Sequence, residues 1–373
     1  MRKPLRIVGV LCMAIALSLG VFALAGCSSS SSSIQQEPQQ SAAVKQVTDV
    51  TGRVVDVPAE PQKIVGIGAS SLRVICYLGQ QDKVVGVEVS EKEDAVTCTY
   101  RHVNIAKFKD LPVIGEGGAK GTTPNEEALI NAAPDVIIAS IDKDTADSLQ
   151  AKTKIPVVCI EFNDKVFDQG IYENIALAGE VLGAEDRADE IVAYMKDAQA
   201  DLAKRVEGQP SHTAYAAGVS FRGGHGFAGT EAAFAPFNSV NLTNIVDGEG
   251  TTGCFDVDLE KVSSAQPEYI FVETGNIGLV REDVAGNPDY FKNLSAVQAG
   301  KVYSLVSYRY YQTNLDLAVA NCYAVGAAAY PDRFSDIDPT AKLGEVTKFF
   351  LGKDISADLA SEGYSFGKVD LLS

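Results

Sequence analysis

The chain has few of the parts from which enzymes are built. Its 373 residues contain no His-Glu-x-x-His, so the signature of a zinc hydrolase is missing. Only His102, His212 and His225 could serve a Ser–His triad. An extracellular hydrolase is therefore a remote alternative, and no catalytic residue is assigned. The body holds Cys76, Cys98, Cys159, Cys254 and Cys322 with no CxxC pair, which leaves a zinc knuckle or thioredoxin-like site without support. These cysteines read as small buried hydrophobes, with room for one disulfide whose pairing the spacing does not give. After the N-terminal segment no stretch is long and apolar enough to span a bilayer. Basic residues are scarce, with 32 Lys+Arg against 49 Asp+Glu and a net charge of −17. That excess of acid argues against nucleic acid or an anionic membrane surface as the main partner.

What is present begins at the N-terminus. Arg2, Lys3 and Arg6 precede a mostly apolar run from Ile7 to Leu24, and Ala25-Gly26 precede Cys27. A positive start, an apolar run and small residues are the parts of a secretion signal. Small-small-Cys after such a run resembles a bacterial lipobox. The resemblance implies cleavage after residue 26 and lipid on the Cys27 thiol, which would hold the protein to the outer face of the cytoplasmic membrane. An ordinary signal peptide with a chance cysteine, or an uncleaved anchor helix, is the plainer reading. Residues 27–46, rich in Ser and Gln, are expected to be a flexible tether.

The folded body then divides by pattern. Residues 47–58 suggest a small β-hairpin. Lys63–Gly68, Lys83–Val89, Asp135–Ala139 and Pro156–Glu161 are expected strands. Helices are expected over Ser71–Leu78 and from Thr123, with Tyr100-Arg101-His102 in a loop. Ile171–Leu182 and Glu185–Val206 suggest two helices, the second about 33 Å long with one apolar stripe. Strands return at Thr213–Val219, Tyr269–Glu273 and Val302–Val306, and helices at Asn314–Tyr330 and Thr340–Phe350. Short apolar strands between helices indicate an α/β fold with parallel sheets covered on both faces. A weak repeat links the halves: Thr123…Glu127…Pro134-Asp135 and Asp256…Glu260…Pro267-Glu268 each run cap, acid, proline, strand. We therefore expect an N-terminal lobe over 47–168, linker helices over 169–207, and a C-terminal lobe over 208–373.

The Asp49–Val65 stretch, the paired Glu…Pro-acid-strand units and the long connecting helix together resemble the substrate-binding proteins of ABC importers for iron–siderophore, haem and cobalamin. The resemblance covers roughly residues 47–350. It implies two lobes joined by one helix, a ligand held between them, and a permease dimer as partner, with Glu127 and Glu260 each meeting permease arginines. In their own helices these acids also favour the positive dipole end, and Thr123 with Glu126 reads as a capping box. No cofactor is expected: a metal chelate would be cargo. The body is expected to be a monomer.

Ligands of parallel sheets sit beyond the carboxyl ends of the strands. The loops there supply the candidates Arg73, Tyr100, Arg101, His102, Arg222, His225, Tyr308, Arg309, Tyr310 and Tyr311. Four arginines on an acidic protein suggest an anionic ligand, and the tyrosines suit a large planar or chelated one. Gly115–Gly121 lacks nucleotide-loop spacing and is expected to let backbone approach the cleft. Two alternatives use the same scaffold: a free transition metal held by His102, His225 and acids, or molybdate or tungstate.

Overall fold

In the computed structural model, residues 43–118, 121–162, 165–248 and 252–373 are described. Cys27, the apolar run and most of the expected tether lie outside them. Folded backbone starts three residues before the hairpin was expected: β1 (Val44–Thr48) pairs antiparallel with β2 (Val54–Pro58). Its inward side chains, Val47, Val55 and Val57, are buried. Arg53 braces the hairpin's own turn through Asp49 at 3.0 Å and fastens the hairpin to the lobe through Asp147 at 2.7 Å and the Val157 carbonyl at 2.7 Å.

In the N-terminal lobe, β3 (Ile64–Ile67) leads to α1 (Ser71–Tyr77), β4 (Val84–Gly86) and α2 (Thr99–Asp110). A two-residue ladder joins β5 (Gly115–Glu116) to β6 (Thr123–Pro124). Then come α3 (Glu126–Ala132), β7 (Val136–Ala139), α4 (Lys143–Thr153) and β8 (Val157–Cys159). The sheet order is β4-β3-β7-β8, all parallel. Strands β3, β7 and β8 are buried at every position, as a sheet covered on both faces requires.

The structure corrects the sequence reading here. Tyr100, Arg101 and His102 lie in the first turn of α2, not in a loop. This helix is polar, and only Thr99, Tyr100, Arg101 and Phe108 are buried, too thin a stripe for its period to stand out. Thr123 does not cap a helix, because it is held in β6. Asn125 caps α3 instead, accepting from the Ala128 N–H at 3.0 Å, so the Thr123–Glu126 capping box does not form. The Lys83–Val89 strand shrinks to β4, with short 3₁₀ turns on either side.

Two helices connect the lobes. Gly183, at φ 65°, ends α5 (Gln169–Leu182) in the left-handed conformation that favours glycine. Next, α6 (Glu185–Arg205) buries Ala188, Ile191, Met195, Ala198 and Leu202, close to the stripe expected. It is fastened at both ends. Arg187 donates to the Tyr77 carbonyl at 3.2 Å and to the Phe349 carbonyl. Arg205 forms a fork with Asp336 at 2.6 and 2.9 Å.

The C-terminal lobe runs β9 (His212–Ala217), β10 (Gly229–Ala232), α7 (Ala235–Asn238), β11 (Leu242–Asn244), β12 (Gly253–Asp256), α8 (Leu259–Ala265) and β13 (Tyr269–Glu273). It continues with α9 (Ile277–Gly286), α10 (Pro288–Lys292), α11 (Ser295–Gln298), β14 (Val302–Leu305), α12 (Leu315–Ala329), α13 (Pro339–Leu351), α14 (Ser356–Ser361) and β15 (Gly367–Lys368). Its sheet order is β11-β9-β13-β14-β15, parallel except for the last strand. The internal repeat is structural. Helices α3 and α8 match in length, are capped by Asn125 and Asp258, and end in left-handed Ala133 and Gln266 just before a proline and a strand. Glu127 and Glu260 thus each sit two residues past a cap, and both are exposed.

Candidate functional site

A cleft of about 1180 Å³ opens between the lobes. The N-terminal side contributes Val89, Ser90, Glu93, Arg101 and Glu116–Gly118. The C-terminal side contributes Ser220–Gly223, Thr252, Cys254 and Arg309–Gln312. Most of these residues follow β4, β9 and β14, the carboxyl ends of parallel strands, where the chain leaves the sheet and its side chains converge.

Five of the ten expected ligand residues line the cleft: Arg101, Arg222, Arg309, Tyr310 and Tyr311. Arg101 is 1% exposed. Its Nη1 donates to the Ser90 carbonyl, its guanidinium lies 5.0 Å from the Tyr310 ring centre, and its Nε and Nη2 have no hydrogen-bond partner. The Arg309 side chain is 10% exposed and pairs through Nη2 with Glu231. Its Nε and Nη1 likewise have no hydrogen-bond partner. Each lobe therefore presents a buried guanidinium with spare N–H groups, which is costly unless something accepts from them. Arg222 is exposed on the loop after β9.

The other five stand elsewhere, for identifiable reasons. Arg73 is fully buried and spends its donors on Ser70, Asn314 and carbonyls of the other lobe. Tyr100 lies beneath it, with Arg73 5.0 Å from the ring centre, and donates to Glu91 at 2.7 Å. His102 faces Asp94 at 2.9 Å and Asp358 at 3.4 Å. His225 supports the cleft from behind: it stacks on Phe221 at 3.7 Å and faces Asp256 at 2.9 Å. Tyr308 is wholly buried under Arg309. His102 and His225 thus belong to separate clusters, so the bare-metal set proposed for them does not assemble. Among the described residues no group of His, Cys, Asp or Glu is arranged to hold a metal ion.

The sequence reading missed the acids behind the arginines. Glu88 accepts from the Tyr311 hydroxyl at 2.9 Å and from the Gly68 N–H at 3.1 Å. Glu91 lies 3.9 Å from Arg101 Nε. Glu273 accepts from the Ser220 N–H at 3.2 Å. The available signal was an acid closing an otherwise apolar strand, as in Lys83–Val89 and in Tyr269–Glu273. Burial pushes Glu88 up from 4.5 to about 7, against the pull of its Tyr311 and Gly68 bonds. Burial likewise pushes Glu273 up to about 7, against nearby Arg309. Between about pH 4.5 and 7 the folded protein therefore holds protons that the unfolded chain has released. That stabilisation is complete below the unfolded value and is lost as pH rises through the folded one. The urea midpoint should fall from about pH 5 to about pH 8, and Glu88→Gln should flatten part of that slope. An unchanged slope in the variant would show that Glu88 does not titrate there.

The comparisons agree with this geometry. The periplasmic binding protein family model matches residues 64–308. The Uncharacterized ABC transporter substrate-binding lipoprotein YvrC of Bacillus subtilis (strain 168) is 28% identical over 52% of this chain, and the match spans 57% of that relative. The Fe(3+)-citrate-binding protein YfmC of the same organism is 24% identical over 77% of this chain and 86% of its own. A periplasmic solute binding protein from Veillonella parvula DSM 2008 shares the fold, with a TM-score of 0.67 at 17% identity, covering 86% of this chain and 97% of that one. The chain belongs to the periplasmic binding protein family. Among the described residues no helix is long and apolar enough to cross a membrane.

Proposed function

We propose that the protein is an extracytoplasmic solute-binding lipoprotein. It captures an anionic ferric chelate between its lobes and delivers it to an ABC transporter permease. The observation that carries this reading is the pair of buried guanidinium groups, one per lobe, with unbonded N–H groups at a shared cleft. Oxyanions of a carboxylate or catecholate ligand are suited to such donors. Tyr310, Tyr311 and Phe221 add aromatic wall. Molybdate or tungstate fits less well, because a cleft of about 1180 Å³ is large for one tetrahedral ion. The ferric-citrate relative supports an iron carboxylate as the first ligand to try. The lipid anchor at Cys27 and the permease contacts of Glu127 and Glu260 belong to the same reading, and no reaction is assigned.

The test is calorimetric titration with ferric citrate, an iron-loaded catecholate, a neutral ferric hydroxamate and molybdate. An anionic ferric chelate should bind at micromolar Kd or tighter, about −8 kcal/mol. Tightest binding by the neutral hydroxamate or by molybdate would overturn the choice of ligand class.

A further inference from the structure

The cleft wall supplied by the C-terminal lobe is fastened to the N-terminal lobe. A bridge between Arg309 and Thr313 closes a tight turn, in which Tyr311 and Gln312 have φ of 53° and 73°. Two successive non-glycine residues in left-handed backbone persist only where their surroundings over-determine them. Here the surroundings come from across the cleft. Arg73 Nη2 donates to the carbonyls of Tyr310 at 2.9 Å and Tyr311 at 2.8 Å, and more weakly to that of Gln312 at 3.4 Å. Its Nε donates to Asn314 Oδ1 at 3.1 Å. The Tyr311 hydroxyl reaches Glu88 Oε2 at 2.9 Å. Gly117, on the cleft rim, packs against that carboxylate: a Cβ there would lie 2.5 Å from Oε2.

We propose that Arg73 and Glu88 are positioning residues for ligand recognition. They hold the 309–313 turn of the C-terminal lobe against the N-terminal lobe, and the Glu88–Tyr311 bond makes that wall respond to protons. Both Glu88 oxygens accept, one from Tyr311 and one from the Gly68 N–H. The ionised form satisfies both donors, and protonation takes acceptor capacity away. The groups bearing on Glu88 are Tyr311 from the turn, the Gly68 amide from the β3–α1 junction and Glu91 from its own segment. Arg73 and Arg101 bear on Glu91 instead. Burial places the Glu88 change at about 7. Below that value the latch weakens and the turn carrying Tyr310 and Tyr311 loosens. The consequence for affinity rests on the cleft being the ligand site; the latch itself does not.

Hydrogen–deuterium exchange on the full chain without ligand tests the latch, with rates corrected for intrinsic pH dependence. The reporters are the Tyr310 N–H, bonded to the Gln312 carbonyl, and the Asn314 N–H, bonded to the Tyr308 carbonyl. Relative to β13, their protection should fall about tenfold as pH drops through about 7. Glu88→Gln keeps an acceptor but cannot ionise, so its profile should be flat. Tyr311→Phe should be flat and poorly protected, and Arg73→Ala poorly protected at every pH. A flat wild-type profile, or a wild-type-like profile in Glu88→Gln, overturns the proposal. A parallel ferric citrate titration should weaken below neutrality in the wild type only. Absence of citrate binding would count against the choice of ligand, while the exchange profile still decides the latch.

Discussion

Arg73→Ala should destabilise the protein by about 3–5 kcal/mol, a large effect for one side chain. Three losses combine. The Tyr310 and Tyr311 carbonyls, Asn314 Oδ1 and Ser70 Oγ lose a charged donor inside a site that excludes water, and bonds to charged groups are worth about 1.5–3 kcal/mol each. Buried Glu91 and Asp316 lose a cation that favours their ionised forms, which drives both carboxyls further up. The left-handed pair Tyr311 and Gln312 loses its external support. Urea unfolding followed by circular dichroism measures the sum. Arg222→Ala is the control: that exposed side chain lines the cleft, and its removal should leave the urea midpoint nearly unchanged. A loss below about 1 kcal/mol for Arg73→Ala would mean the lobes are held together by other contacts.

Charge reversal at both Glu127 and Glu260 should abolish transport while leaving ligand affinity unchanged. The two acids are exposed and occupy equivalent positions on α3 and α8. Among the described residues neither makes an ion pair, whereas their neighbour Glu126 is paired with Lys152 at 2.7 Å. Their local role is confined to the helix dipole, worth about 0.3–1 kcal/mol each. A purely structural role thus predicts a small loss of stability and no loss of uptake. Docking predicts the reverse, with each single reversal intermediate, because two contacts on one body reinforce each other. Glu126→Arg is the matched control and should transport normally. Uptake of radioactive iron by cells carrying each variant reads the outcome. Normal uptake in the double reversal would remove both residues from the permease interface.

The legible parts of the sequence were those with a strong period and a clear stop. Tyr269–Glu273 is a strand over the residues expected, and α5 ends at Gly183 as expected. The stripe of α6 was visible as Ala188, Ile191, Met195 and Leu202. The rule that sites gather at strand carboxyl ends located Arg222, Arg309, Tyr310 and Tyr311. Arg101 was found for the wrong local reason, since it projects from a helix. Arg73 was misplaced because its partners lie more than two hundred positions along the chain, and nothing local distinguishes a buried arginine from a solvated one. Tyr308 and Tyr310 were grouped by sequence, yet the chain leaves the sheet between them for the turn closed by Arg309 and Thr313. Tyr308 is buried, and Tyr310 is 39% exposed at the cleft. The acids Glu88, Glu91 and Glu273 were overlooked because their meaning depends on which arginines the fold brings to them.

The position of iron bears most directly on capture between the lobes. Crystals grown with the ferric chelate that titrates most tightly should show an anomalous iron peak inside the cleft. Ligand oxygens should then lie within about 3 Å of Arg101 and Arg309 nitrogens. An iron peak on another face, or a ligand in the cleft that leaves both guanidinium groups unbonded, would contradict it.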